Sequence, residues 1–294
     1  MIVVFGSINA DLLFRMDRTP SPGQTLLAQQ LTMQPGGKGA NQAVAARLDG
    51  ADVRMVGAVG DDPLASMALR GLQSAGVELE LRHLVGVATG CAAICTDSDG
   101  RNQIAVALGA NAHASADQVA ATLLDPQTTL LLQMETDPAQ VAALIHRANA
   151  AGSRIILNLA PALPLDPAAL RLVDLLVVNE DEAEELARSL GCAGTAGSLH
   201  AALKIGIIRT LGAAGAEAAT QDGLCRAAPP AVHAIDTTAA GDCFVGVLAA
   251  SLERDLSLTA AMQRACTAAA LACTKPGSQT SLPDAAAIDA AMLA

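Results

Sequence analysis

The chain contains no tryptophan and no tyrosine, and its three phenylalanines stand at positions 5, 14 and 244. A site that stacks bases on an aromatic platform has little material here. Basic residues are also scarce: 18 Lys and Arg stand against 29 Asp and Glu, a formal net charge of −11. No basic stripe interrupts that balance, which argues against a nucleic-acid partner. An anionic substrate would have to meet its few cations locally. The seven cysteines include no CxxC pair, and no His stands at metal-ligand spacing from them. An odd count of thiols in a long chain reads as reduced, small buried side chains in a cytoplasmic protein. No run of about 20 uninterrupted apolar residues occurs, so no membrane span is expected. The segment Met1-Ile2-Val3-Val4-Phe5-Gly6 lacks the basic start of a signal peptide and reads as a first strand.

What is present is a 294-residue chain, 52% apolar and rich in alanine, which fills one large α/β domain or two ordinary ones. Short apolar runs at 2–5, 53–59, 130–132, 155–157 and 175–178 alternate with helical patterns at 39–48, 64–75, 138–150 and 166–172. Strands apolar on both faces and separated by helices predict a doubly wound, mostly parallel sheet in a three-layer αβα sandwich. Residues 11–33 and 81–108 break the rhythm with alternating, β-branched character. The second stretch carries the turn signal Asp97-Ser98-Asp99-Gly100. These segments predict a small accessory β-sheet, either a lid over the strand ends or an ordinary excursion. No linker divides the chain, so 1–294 reads as a single domain; 193–198 reads as a surface loop.

Three stretches carry chemistry. In Gly36-Gly37-Lys38-Gly39-Ala40-Asn41-Gln42-Ala43 the glycines allow close backbone approach just before a helix, and Lys38 and Asn41 add donors. The same pattern also occurs as a purely structural turn. In Asp236-Thr237-Thr238-Ala239-Ala240-Gly241-Asp242-Cys243-Phe244 the small residues leave a helix N-terminus open. Its N–H groups suit a transferring phosphoryl group, and Asp242 is either a base or a carboxylate that satisfies the helix dipole. The acidic Asn179-Glu180-Asp181-Glu182 follows a buried strand, where α/β proteins bind ligands. Such oxygens suit Mg²⁺, and they also suit a solvated helix start. Asn9 and Asp11, after the first strand, offer hydrogen bonds to a polyol. Thr210, Gly212 and Gly215, after a late strand, could approach a nucleotide.

In this order the stretches resemble the ribokinase-like (PfkB) carbohydrate kinase family over nearly the whole chain, from Val3 to Gly277. The resemblance extends to Gly109-Ala110-Asn111, Gln133-Met134-Glu135 and Asn158-Leu159-Ala160-Pro161-Ala162. It implies an ATP-dependent phosphotransferase acting on a small sugar, D-ribose foremost, with Mg²⁺ and a potassium-like monovalent cation. It further implies that Asn9, Asp11, Gly37, Lys38, Asn41 and Glu135 hold the sugar and that Asp242 is the base beside Ala240 and Gly241. Asn179, Thr210, Gly212 and Gly215 would lie along ATP, and Glu182 would act on the Mg²⁺ shell through water. Asp236, Thr238, Ala272, Lys275, Gly277 and Ser281 match the loops that bind the monovalent cation. A homodimer joined through the β lid is implied as well, with Leu26, Leu27, Leu31 and Ile94 as apolar cover.

Other acceptors remain open: fructose, a deoxy-keto sugar acid or a nucleoside. The scarcity of aromatics speaks against the nucleoside. A non-catalytic sugar sensor would not need Asp242, Gly241 and Asn179. A nicotinamide dehydrogenase would need G-x-G-x-x-G after the first strand, where Gly6-Ser7-Ile8-Asn9 stands instead.

Overall fold

The computed structural model describes residues 1–98 and 102–293. The first half contributes strands β1 (Ile2–Phe5), β2 (Asn9–Arg15), β3 (Gln30–Gly36), β4 (Val53–Gly60), β5 (Glu78–Leu84), β6 (Gly90–Thr96) and β7 (Asn102–Ala107). The second adds β8 (Thr129–Leu132), β9 (Arg154–Asn158), β10 (Leu175–Val178), β11 (Gly206–Thr210), β12 (Ala216–Thr220) and β13 (Gly223–Ala227). The helices are α1 (Lys38–Leu48), α2 (Pro63–Ala75), α3 (Pro138–Ala151), α4 (Pro167–Leu170), α5 (Glu180–Leu190), α6 (Ala196–Leu203), α7 (Ala240–Glu253), α8 (Leu258–Ala272) and α9 (Ala285–Leu293).

Nine strands form one sheet in the order β13-β12-β11-β10-β9-β8-β1-β4-β5, parallel except for the antiparallel β11-β12-β13 edge. Successive strand side chains point to opposite faces, and the two cores divide on that rule. Ile2, Val4, Leu131, Ile156, Val177 and Ile208 face α1, α2 and α7–α9. Val3, Phe5, Leu130, Leu132, Leu157 and Ile207 face α3–α6. Covering both faces is what makes these strands uniformly apolar. Each such side chain contributes roughly 1.5–3 kcal/mol by leaving water. The αβα sandwich read from the sequence is the observed fold.

A second sheet, β3-β2-β6-β7, stands apart, with β2 antiparallel to β3 and parallel to β6. Its bounds differ from expectation. Residues 81–84 belong to β5, which runs parallel to β4 in the main sheet. Their alternating polarity comes from the edge position, where charged residues face water. The small sheet starts at Asn9 rather than Asp11. Its β6–β7 pair is antiparallel as a hairpin requires, while Asp99 and Gly100 of the expected turn lie outside the described residues. Ile94 is buried, so the exposed apolar cover is instead Leu27, Leu31, Met33, Ile104 and Val106, with Leu31 53% and Ile104 59% exposed.

Two local expectations also shift. The helix expected at 166–172 is only Pro167–Leu170, started by Asp166 accepting from the Ala168 N–H. The loop expected at 193–198 ends at Thr195, whose hydroxyl accepts from the Ser198 N–H and starts α6. Among the described residues no helix is long and apolar enough to cross a membrane.

Candidate active site

In open α/β sheets ligands bind beyond the C-terminal ends of the strands. β1, β8, β9, β10 and β11 end together at one edge, and α1 and α7 begin there. The two helices pack closely because residue 246 is glycine: a Cβ there would lie 2.4 Å from the Gln42 carbonyl oxygen and 2.7 Å from the Ala45 Cβ. Gly37 precedes α1 with φ 89, a conformation that L side chains rarely adopt. A Cβ on it would sit 2.8 Å from the Asn9 nitrogen. The glycine-rich stretch therefore lets α1 start directly against the β1–β2 connection.

The first turns of α1 and α7 are joined by side chains. Asn41 Nδ2 donates to Asp242 Oδ2 at 2.9 Å, and Gln42 Nε2 donates to Asp242 Oδ1 at 3.0 Å. Asn41 Oδ1 accepts from Gln279 Nε2 at 3.0 Å. Glu135, just past β8, accepts at one oxygen from the Ser7 hydroxyl (2.6 Å) and the Lys38 N–H (3.1 Å). Asn9 Oδ1 accepts from Asn111 Nδ2 at 2.7 Å, and Asn111 also ties to both backbone groups of Ile8. Asn9, Asp11, Asn41 and Asp242 are all buried.

Four carboxylates share this space with one ammonium. Burial pushes the Asp11 carboxyl up to about 7, the charges of Glu135 and Asp242 add to that, and Lys38 opposes them. Asp11 Oδ1 is buried without a hydrogen-bond partner. Burial works against the Lys38 charge, yet Asp242, Glu135, Glu182 and Asp11 together hold its proton more tightly than usual. Of the residues expected to hold a sugar, Asn9, Asp11, Gly37, Lys38, Asn41 and Glu135 thus gather around Asp242.

A cleft of about 150 Å³ opens beside Asp242, lined among others by Lys38, Asn179, Glu182, Thr210 and Gly241. Asn179 and Glu182 form a reciprocal cap on α5, with Asn179 N–H donating to Glu182 Oε2 and Glu182 N–H to Asn179 Oδ1. Burial pushes the Glu182 carboxyl up, against the Asn179 N–H and Lys38. Gly212 and Gly215 do not line this cleft; they shape the β11–β12 turn, with φ 52 and φ 92. Ala239 enters α7 at φ 58, and the Ala240 N–H donates to the Thr237 carbonyl at 3.2 Å. Of the two expected anion donors, Ala240 is therefore engaged in the loop. Gly241 faces open space, with nothing within 4 Å of an added Cβ.

The expected cation loops also meet. Asp236 Oδ1 accepts from the Thr238 N–H and hydroxyl, and Oδ2 from the Gly277 N–H. Burial works to raise the Asp236 carboxyl, but these donors hold it below the usual range. The Lys275 N–H reaches back to the Ala272 carbonyl, and Ser281 is buried with its hydroxyl on the Ser278 carbonyl. Among the described residues no group of three His, Cys, Asp or Glu side chains could hold a metal ion. Any cation here would rest on the hydroxyl and carbonyl oxygens of these loops.

Sequence reasoning gave no role to Ser7, Gln42, Asn111, Gln133, Asn158 or Gln279. Five of these stand inside the stretches that carry the family resemblance, so a signal was available for them. Gln279 gave none, because its partner is 238 residues away.

Comparison with known proteins agrees with this arrangement. A family model described as pfkB family carbohydrate kinase matches residues 1–285. Ribokinase of Haemophilus influenzae is 34% identical over 296 residues, covering 96% of this chain and 95% of that protein. Ribokinase of Thermotoga maritima superposes with a TM-score of 0.90 at 29% identity, covering 100% of this chain and 99% of that one. Arabidopsis thaliana ribokinase complexed with ribose and ATP superposes with a TM-score of 0.87 at 27% identity, covering 99% and 98%.

Proposed function

The chain belongs to the pfkB family of carbohydrate kinases, and from that premise we propose that it transfers the γ-phosphoryl group of ATP to the primary hydroxyl of D-ribose. The observation that carries this reading is the meeting of Asp242 with the Asn9, Asp11, Asn41 and Glu135 cluster at the strand ends, beside an open helix N-terminus. Asp11 Oδ1, buried and without a partner, is an acceptor that a sugar hydroxyl would fill. Leaving such a group unpaired costs ~1–3 kcal/mol.

In the proposed step Asp242 Oδ2 or Oδ1 takes the proton of the attacking hydroxyl as its oxygen bonds to the γ-phosphorus. The bond from that phosphorus to the β–γ bridging oxygen breaks, and ADP leaves. A carboxylate is a far weaker base than an alkoxide, so proton transfer is completed only once O–P bonding has begun to acidify the attacking oxygen. Lys38 and the Gly241 N–H would meet the charge on the transferring group, so positioning and electrostatics supply most of the acceleration. Mg²⁺ bound with the nucleotide would neutralise charge on the β- and γ-phosphates. Glu182 and Asn179 suit it as oxygen donors that act through water.

The hard oxygen donors of the Asp236, Thr238 and 272–281 loops support a potassium-like cation beside α7. The β3-β2-β6-β7 sheet is proposed as a lid over the sugar. Its exposed Leu31, Met33, Ile104 and Val106 support a homodimer joined through that face, and light scattering that shows a fully active monomer would exclude it. A cytoplasmic location fits the free thiols. The test of the acceptor is ADP release across ribose, 2-deoxyribose, fructose, sugar acids and nucleosides. Ribose should give the highest kcat/KM, and another acceptor ahead by tenfold would overturn the assignment.

A further inference from the structure

We infer that Gln42 is a positioning residue for phosphoryl transfer: it fixes the plane of the Asp242 carboxylate through a one-directional chain of buried amides. The inference rests on the reading of Asp242 as the base.

The chain begins at a group that can only accept, the Val177 carbonyl of β10. Asn158 Nδ2 donates to it at 3.2 Å, which turns Asn158 Oδ1 toward α1. There Oδ1 accepts from Gln42 Nε2 at 3.0 Å. The same Nε2 donates its second hydrogen to Asp242 Oδ1 at 3.0 Å. Gln42 Oε1 is thereby turned away, and it accepts from Gln133 Nε2 at 2.7 Å. Gln42 and Gln133 are fully buried, and Asn158 and Asp242 nearly so.

The polarity of this chain is forced. An amide has one accepting and one donating end. If Gln42 turned over, its oxygen would face both the Asp242 carboxylate and Asn158 Oδ1, with no hydrogen between them. Its nitrogen would face the Gln133 amide nitrogen. Each link holds the next in a single orientation, starting from backbone that the sheet keeps rigid. Asn41 holds the other carboxylate oxygen, Oδ2. Asn41, however, is itself held by Gln279 from the 273–281 loop, whereas Gln42 is referred to the ends of β8, β9 and β10. Consecutive residues of α1 thus fix the two oxygens of Asp242 against different parts of the fold. A carboxylate fixed at both oxygens presents its remaining lone pairs in a set direction, toward the cleft beside Gly241.

The experiment is a double-mutant cycle. Gln42→Met keeps the length of the side chain and removes both ends of the amide. In the otherwise native enzyme kcat should fall about 10–100-fold, the scale of loss from a misplaced catalytic group, while KM for sugar and ATP stays within about threefold. In the Asp242→Asn background the same substitution should lower kcat no further, because residues that act as a unit are not additive. Equal losses in both backgrounds would show a structural role and overturn the inference, as would kcat within threefold of native in the single variant. Should Gln42→Met fail to fold, Gln133→Met takes its place. That variant removes the donor to Gln42 Oε1 while Asn158 and Asp242 still hold the Gln42 nitrogen, so it should give a smaller loss with the same dependence on Asp242. If Asp242→Asn alone keeps native kcat, the base assignment falls rather than the chain of amides.

Discussion

Asp11 offers a pH experiment whose sign is fixed by its surroundings. Burial, Glu135 and Asp242 raise its carboxyl from 3.8 to about 7, with Lys38 opposing. At 1.36 kcal/mol per unit, a rise of about three units is worth about 4 kcal/mol. Between about pH 4 and about pH 7 the folded chain keeps this proton while the unfolded chain has lost it. Stability from this group is therefore greatest in acid and falls as pH rises through about 7. Asp11→Asn removes the titration, so its stability advantage over native protein should grow toward about 4 kcal/mol across that window. Sugar binding should move the other way. The ionised carboxylate would accept from a sugar hydroxyl at Oδ1, and a hydrogen bond to a charged group is worth about 1.5–3 kcal/mol. With saturating ATP, kcat/KM for the sugar should be level above about pH 8 and fall toward tenfold per unit below about pH 7. Asp11→Asn should bind sugar poorly and lose that break. A native profile with no break between about pH 6 and 8, joined to a stability difference that does not grow with pH, would refute the reasoning.

Two glycines of α7 should separate chemistry from packing. Gly241→Ala meets no atom within 4 Å and should raise stability by up to ~1 kcal/mol through helix propensity. It should nonetheless lower kcat about 10²-fold by crowding the phosphoryl site. Gly246→Ala drives a methyl against the Gln42 carbonyl and Ala45 and should destabilise by about 1–3 kcal/mol; thermal melts and kcat on both variants check the pair. The Asp236 loops predict faster turnover in potassium than in a large organic cation at matched ionic strength, with Asp236→Asn weakening that response, and equal rates in the two salts would count against it.

The fold was legible because its signal is local. The runs Ile2–Phe5, Leu130–Leu132 and Leu175–Val178 are short and apolar on both faces, and only a doubly covered parallel sheet needs that. Leu81–Leu84 misled because an edge strand of the same sheet alternates in polarity like a half-exposed hairpin. The start of α6 was missed because its capping Thr195 sits among small residues that also suit a loop. At the site the glycine-rich stretch and the α7 start were visible as motifs. The contacts between them were not. Asn41 and Gln42 reach Asp242 across 201 and 200 residues of sequence, and nothing in a lone glutamine shows which carboxylate it faces. The Ala240 N–H looked as available as that of Gly241 until Ala239 placed it on the Thr237 carbonyl, a turn set by a positive φ that composition does not show.

The central claim is that Asp242 takes the proton from the attacking hydroxyl. Asp242→Asn keeps the side-chain size and one of the contacts with Asn41 and Gln42, sets its amide nitrogen against the other donor, and loses its capacity as a base. With saturating sugar and ATP, kcat should fall about 10²–10⁴-fold, with nucleotide affinity close to native and a melting temperature lowered by the one mismatched amide contact, which costs ~1–3 kcal/mol. A variant that is folded, binds ATP normally and keeps more than about a tenth of native kcat would contradict the account and leave Asp242 as a carboxylate that only starts a helix.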